Sequence, residues 1–221
     1  MISTRFVPLL VLVLFLIFGC APAVREGAHV EKEQAVQKLP VEQQKEKANE
    51  EFAKVLEIVE KVENRSDAVP EMEKRYTNII ENYPDAPLAQ EIHWRLVELY
   101  LRDYNPPRIE DAKAVFSRFK ERYPQSPLKT AIEDTMTRFF AAKGMWNEIL
   151  ELHDYRIRKF VETGSIDSPL FLFMYAEALR NLGNKEEAIK GYNWVIKTFP
   201  GTQPADMARR RLELMKNSKK D

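Results

Sequence analysis

The chain has 221 residues, with 34 Lys and Arg against 34 Asp and Glu, so its formal net charge is zero. That balance removes the electrostatic case for nucleic-acid binding, which rests on a clear basic excess. A single cysteine excludes an intrachain disulfide, and seven glycines amid abundant Glu, Lys, Arg, Leu and Ala favour helix.

The chain opens with one positive charge, Arg5, followed by an apolar run from Phe6 to Phe18 that only Pro8 interrupts. About 13 apolar residues are too few to span a bilayer, which takes roughly 20, so residues 1–19 read as a secretory signal peptide. The junction Ile17-Phe18-Gly19-Cys20 resembles a lipobox, the signal cut ahead of a cysteine that then receives a diacylglyceryl group. The resemblance implies that Cys20 is a lipid attachment point, with no redox or metal chemistry left for its thiol. One acyl chain binds a membrane only marginally at about 0.8 kcal/mol per methylene, whereas two or three anchor stably. Ala21 follows the cysteine. In enteric-type lipoproteins an aspartate there favours inner-membrane retention, so the resemblance points to the outer membrane and a domain facing the periplasm. Cleavage leaves 33 Lys and Arg against 34 Asp and Glu.

Residues 20–46 read as the lipidated cysteine and a flexible tether. They are rich in Glu, Gln and Lys and have no aromatic side chain with which to offset chain entropy. An amphipathic helix is expected over 47–67, where Ala48, Phe52, Val55, Val59 and Val62 recur at helical spacing. This stripe can pack on the following domain or form a short coiled-coil seam.

From residue 68 the chain repeats. Tyr83-Pro84 and Tyr123-Pro124 lie 40 residues apart, and Phe199-Pro200 follows 76 later. Each pair closes a helical pattern, as expected where proline cannot continue a helix. A period near 38 with two helices per unit marks a helical solenoid. The last unit is clearest: Ser168-Pro169 opens a helix to Leu182, Gly183-Asn184 turns, and a second helix runs from Lys185 to Thr198. Ala176, Leu179, Gly183, Ala188, Tyr192 and Pro200 there keep the spacing of a tetratricopeptide repeat, which they resemble closely. Ala176 and Ala188 are expected to let the two helices approach. The middle unit keeps the order through Trp94, Val97, Leu101, Ala112, Phe116, Phe119 and Pro124, with its Asn105-Pro106-Pro107 turn two residues longer. The first retains Tyr76, Ile79 and Pro84, with Met72 in place of alanine. The third, with Gly144, Trp146 and Ile149, lacks its terminal proline. A helix from Pro204 to Lys216 serves as a cap, since each unit of an array buries its face only against a neighbour.

The expected fold is therefore all-α, a right-handed superhelical tetratricopeptide solenoid over 68–217 on a lipid anchor. The lipid signal and the aromatic–proline ends together resemble outer-membrane-protein assembly lipoproteins of the BamD type. Periplasmic cell-division and pilus-assembly tetratricopeptide proteins share the pattern. An accessory domain of a peptidoglycan-processing enzyme is a further reading, but the carboxylates are spread over helix faces. No catalytic constellation is present: His29, His93 and His153 have neither metal-ligand spacing nor a cysteine partner, and no Gly-x-Ser-x-Gly or phosphate loop occurs. His93 is expected on a helix surface. No cofactor, metal or small-molecule substrate is implied. The resemblance carries partner binding onto the first helix of each pair, giving Arg95 and Arg102, then Arg138, then Phe173, Glu177 and Arg180. Arginines on three successive helices would suit bidentate contacts to a carboxylate-bearing peptide.

Overall fold

The structure, a computed structural model, describes residues 39–217. The expected signal peptide, Cys20 and most of the expected tether lie outside the described residues, which form nine α-helices and one π-helical turn and include no strand. Helices α1 (Val41–Lys61) and α2 (Arg65–Asn82) make the first pair. The second joins α3 (Pro87–Glu98), continued by the π-helical turn Leu99–Asp103, to α4 (Ile109–Arg122). Next come α5 (Leu128–Ala142) with α6 (Trp146–Thr163), then α7 (Pro169–Asn181) with α8 (Lys185–Thr198), and finally α9 (Gln203–Asn217). Each helix packs on the next, and the first helices α1, α3, α5, α7 and α9 also touch in succession.

The aromatic–proline pairs end α2, α4 and α8 in one geometry. Tyr83, Tyr123 and Phe199 share φ of −127°, −124° and −127°. Their backbone N–H groups donate to the carbonyls of Ile79, Phe119 and Val195, four residues earlier, at 3.0, 2.8 and 2.9 Å. The proline that follows has no N–H to extend the ladder, so the helix stops. The aromatic residue's own carbonyl then accepts from Ala86, Ser126 or Thr202, which starts the next helix. Helix α6 ends differently, at Gly164, whose φ of 70° is left-handed. It is also longer, at 18 residues against 14 in α4 and α8. The turn 104–108 is two residues longer than 143–145 or 182–184. Pro87 and Pro169 open α3 and α7, where a missing N–H costs nothing. Ser168 holds the N-cap position, yet its hydroxyl makes no capping bond.

Packing in the last pair depends on a contact finer than the expected alanines. Ala176 and Ala188 are both fully buried. The closest approach, however, is at Gly191, where an added Cβ would lie 2.8 Å from the Cβ of Ala176. Tyr192 fills the adjoining space against Phe173, with ring centroids 5.9 Å apart. The buried apolar residues form two clusters, one reaching from Ala48 to Ile149 with Ala178 added, the other from Ile157 to Ala208. Between Ile149 and Ile157, the buried position on α6 is a histidine, His153.

Three expectations need correction. Helix α1 begins at Val41, so the tether ends sooner than residue 46, and what was expected as one helix over 47–67 breaks after Lys61 and restarts at Arg65. The early start has a buried polar residue behind it: Gln44 exchanges two hydrogen bonds with Asp85 in the Tyr83-Pro84 turn, at 3.0 and 3.3 Å. Helix α1 is the first member of a pair rather than a segment preceding the array, with Ala48 and Val55 buried and Phe52 stacked on Tyr76. His93 is buried, not on the surface. Its Nδ1–H donates to the Ala89 carbonyl at 2.7 Å, and its ring sits against Phe119 and Tyr123.

A double-mutant cycle tests the Gly191 contact. Gly191→Ala should destabilise by about 1–3 kcal/mol, the range for overpacking, despite alanine's better helix propensity. In an Ala176→Gly background the same change should be neutral, or stabilising by up to about 1 kcal/mol. Equal losses in both backgrounds, read from urea melts, would place the close approach elsewhere.

Candidate functional site

The arginines expected on the first-helix row occupy that row, each already held by an acid on its own helix. Arg95 pairs with Glu91 at 2.5 Å and lies 5.1 Å over the Phe52 ring. Arg102 falls in the π-helical turn and pairs with Glu98 at 3.6 Å; Arg138 pairs with Asp134 at 2.8 Å. These are i, i+4 pairs, the spacing at which helix neighbours meet. Side-chain exposure separates them: Arg102 and Arg138 are 55% and 67% exposed, Arg95 42% and Arg180 32%. Exposed pairs contribute about 0–1 kcal/mol, so a partner's carboxylate could exchange with Glu98 or Asp134 at little cost.

The last unit does not offer the same face. Phe173 is buried against Tyr192 and so is a core residue, not a groove side chain. Glu177 is buried too, and its carboxylate accepts from the Tyr192 hydroxyl, from Arg211 Nε at 2.9 Å and from Arg180 at 3.2 Å. Burial alone would raise the Glu177 carboxyl. Those three donors together outweigh burial and hold the group below its ordinary range. Arg180 is therefore part of a hub that ties α7 to α8 and α9.

Two further carboxylates, not among the expected site residues, play the same part. Glu73 on α2 accepts from the hydroxyls of Tyr100 and Tyr104 and from Arg108 at 2.9 Å. The Arg108 guanidinium lies over both rings, at 4.7 and 4.9 Å. Burial pushes the Glu73 carboxyl up, but the two tyrosines and Arg108 bring it below the ordinary range. Glu133 on α5 binds Arg156 on α6, which also takes Asp167 before α7, at 2.5 Å. Removing one partner of such a pair typically costs about 3–5 kcal/mol, because a buried charge is left alone. The sequence signal that could find them is a charged or tyrosine residue at a position where the helical stripe demands an apolar one.

His153 lies beside the Glu133 hub, stacked on Phe171 with centroids 4.6 Å apart. The Thr137 hydroxyl spends its proton on the Glu133 carbonyl at 2.6 Å, so it accepts from His153 Nε2–H at 2.8 Å. Nδ1 then carries a buried lone pair with no donor. Among the described residues no cluster of three or more His, Cys, Asp or Glu is placed to hold a metal ion.

The buried ring gives a signed pH dependence. An unfolded histidine takes up its proton near pH 6.5, whereas burial, reinforced by the Arg156 charge, holds folded His153 down to about 4. The folded state binds fewer protons in that window, so stability present above pH 6.5 is lost as the pH falls toward 4. Between pH 7 and pH 4.5 the wild type should lose about 2–3 kcal/mol more than His153→Gln, which has no proton to gain. Urea melts at the two pH values measure it, and identical losses would mean that the ring is not held neutral.

With this geometry in place, comparison with known proteins adds one match. Residues 171–202 match the family model for a tetratricopeptide repeat. The matched stretch covers α7, the Gly183 turn, α8 and the Phe199-Pro200 end. No curated protein and no solved structure matches the chain. The fourth helix pair thus makes this a protein that contains a tetratricopeptide repeat, within an all-helical repeat architecture.

Proposed function

We propose that this chain is a lipid-anchored scaffold that binds protein partners at the periplasmic face of the outer membrane. Assembly of outer-membrane proteins is its setting, and its repeats wind as a right-handed superhelix. The observation that carries the reading is the Gly19-Cys20 junction in the same chain as a helical array with a tetratricopeptide match. Tetratricopeptide arrays are in general binding scaffolds rather than catalysts. No helix of the described residues is long and apolar enough to cross a membrane, and in this proposal the lipid at Cys20 is the attachment. The cell-division and pilus-assembly reading needs the 48–62 stripe free to oligomerise. Ala48 and Val55 are buried within the chain itself, which favours the assembly setting.

Replacing Cys20 with Ala should abolish fatty-acid labelling and leave the precursor uncleaved by lipoprotein signal peptidase. Metabolic labelling with a fatty-acid analogue, alongside membrane fractionation, checks both. Equal labelling of the two proteins would sink the lipoprotein reading.

A further inference from the structure

Phe171 is fully buried near the start of α7, yet it is a member of neither apolar cluster. Two polar side chains cover it instead. The His153 ring stacks on it with centroids 4.6 Å apart, and the Arg156 guanidinium lies 4.9 Å from its centroid. Both belong to α6 and stand about one helical turn apart. Apolar contact across this junction is thin. Ala178 joins the first cluster, Met174 packs against both, and α5 and α7 touch less than any other two successive first helices.

Two buried side-chain atoms of this junction have no hydrogen-bond partner, His153 Nδ1 and Arg156 Nε. With Nε2–H committed to Thr137, Nδ1 of the neutral ring is an acceptor, whereas Arg156 Nε–H is a donor. Their needs are complementary only while the ring is neutral. Protonation makes both of them donors, and the carboxylates of the junction, Glu133 and Asp167, are already engaged by Arg156. The charges around the ring come from three elements. Helix α6 supplies Arg156, the segment before α7 supplies Asp167, and α5 supplies Glu133 with Lys129 acting on it. Helix α7 brings only the uncharged Phe171 ring.

We propose that protonation of His153 opens the junction between α7 and the units before it, while the helices on either side stay folded. The result is a pH-operated hinge, and it stands apart from the scaffold reading. Each side keeps its own interior, and Glu177 holds α7 to α8 and α9 through Tyr192 and Arg211. The open ring takes up its proton near pH 6.5, whereas burial, reinforced by Arg156, holds the closed one down to about 4. The closed form binds fewer protons in that window, so acid favours opening. Between pH 7.5 and pH 5 this one group raises the open population about thirtyfold. Glu133 acts in the opposite sense, because burial raises its carboxyl despite Arg156. Burial also pushes Asp167 up, but Arg156 outweighs it and keeps that carboxyl below its ordinary range, outside this window.

Hydroxyl-radical footprinting of the detergent-solubilised full chain between pH 7.5 and pH 5 reads side-chain exposure at the hinge. Three phenylalanines serve as probes: Phe171 at the junction, Phe173 inside α7–α9, and Phe119 in the units before them. All three start buried, at 1%, 2% and 0% exposure. The acid-to-neutral ratio of Phe171 oxidation should be about thirtyfold larger in wild type than in His153→Gln, which keeps Glu133 and Asp167. A ratio taken within each protein is independent of any stability that the substitution costs. In wild type alone, the rise should begin near pH 6.5, while Phe119 and Phe173 stay roughly tenfold or more slower than Phe171 at pH 5. A flat wild-type profile, or equal ratios in the two proteins, would overturn the role of His153. Oxidation of Phe119 and Phe173 as fast as that of Phe171 would mean that the chain unfolds as a whole and has no hinge.

Discussion

Three times among the described residues an aromatic residue closes a helix with one bond to the carbonyl four residues back, and a proline forbids the next. The rest of the architecture depends on that stop. It fixes where α2, α4 and α8 end and how α3, α5 and α9 begin, within an array where α1, α3, α5, α7 and α9 meet in succession. The turns are also joined to one another. The Tyr123 hydroxyl donates to the Pro84 carbonyl, Arg122 pairs with Asp85 at 2.8 Å, and Gln44 bonds to the same Asp85. One turn thus serves as a fastening for the units on both sides.

Where the stop is absent, the structure departs from its repeat. Helix α6 runs on to Gly164, and the junction around it holds the Glu133–Arg156–Asp167 hub and the neutral His153. A degenerate repeat is thereby the most chemically particular part of the chain. Polar groups there take positions that apolar side chains hold in the neighbouring pairs. Their hydrogen bonds offset part of the desolvation, and burial still pushes the Glu133 carboxyl above its ordinary range despite Arg156.

Much of this was legible in the sequence. The boundaries of α7 and α8, the long turn after α3 and the cap helix follow from proline, glycine and apolar spacing, which act locally. The resemblance to a tetratricopeptide repeat rested on residues that the family match also covers. Gln44, His93 and Glu177 were misplaced for one physical reason. Polarity in a sequence reads as exposure, and a buried polar residue is recognisable only from partners far along the chain, such as Asp85 for Gln44. Phe173 was misplaced in the opposite sense, since an aromatic on a first helix fits a groove or a core equally until Tyr192 is seen against it. Gly191 was overlooked because a glycine inside a helix carries no signal beyond lower propensity, and its role exists only relative to Ala176.

The division of the apolar interior into two clusters, with His153 on α6 between them, bears on how the chain responds to load. Cooperativity in an array travels through the apolar interfaces between neighbours. A junction held largely by ion pairs transmits it less well than one held by packed side chains. Tension applied at the C-terminal end would therefore be relieved first where the clusters meet, by α7–α9 and the end of α6 from Ile157 parting from the units before them. The pairs before them would stay folded, as a mechanical fuse spares the circuit behind it.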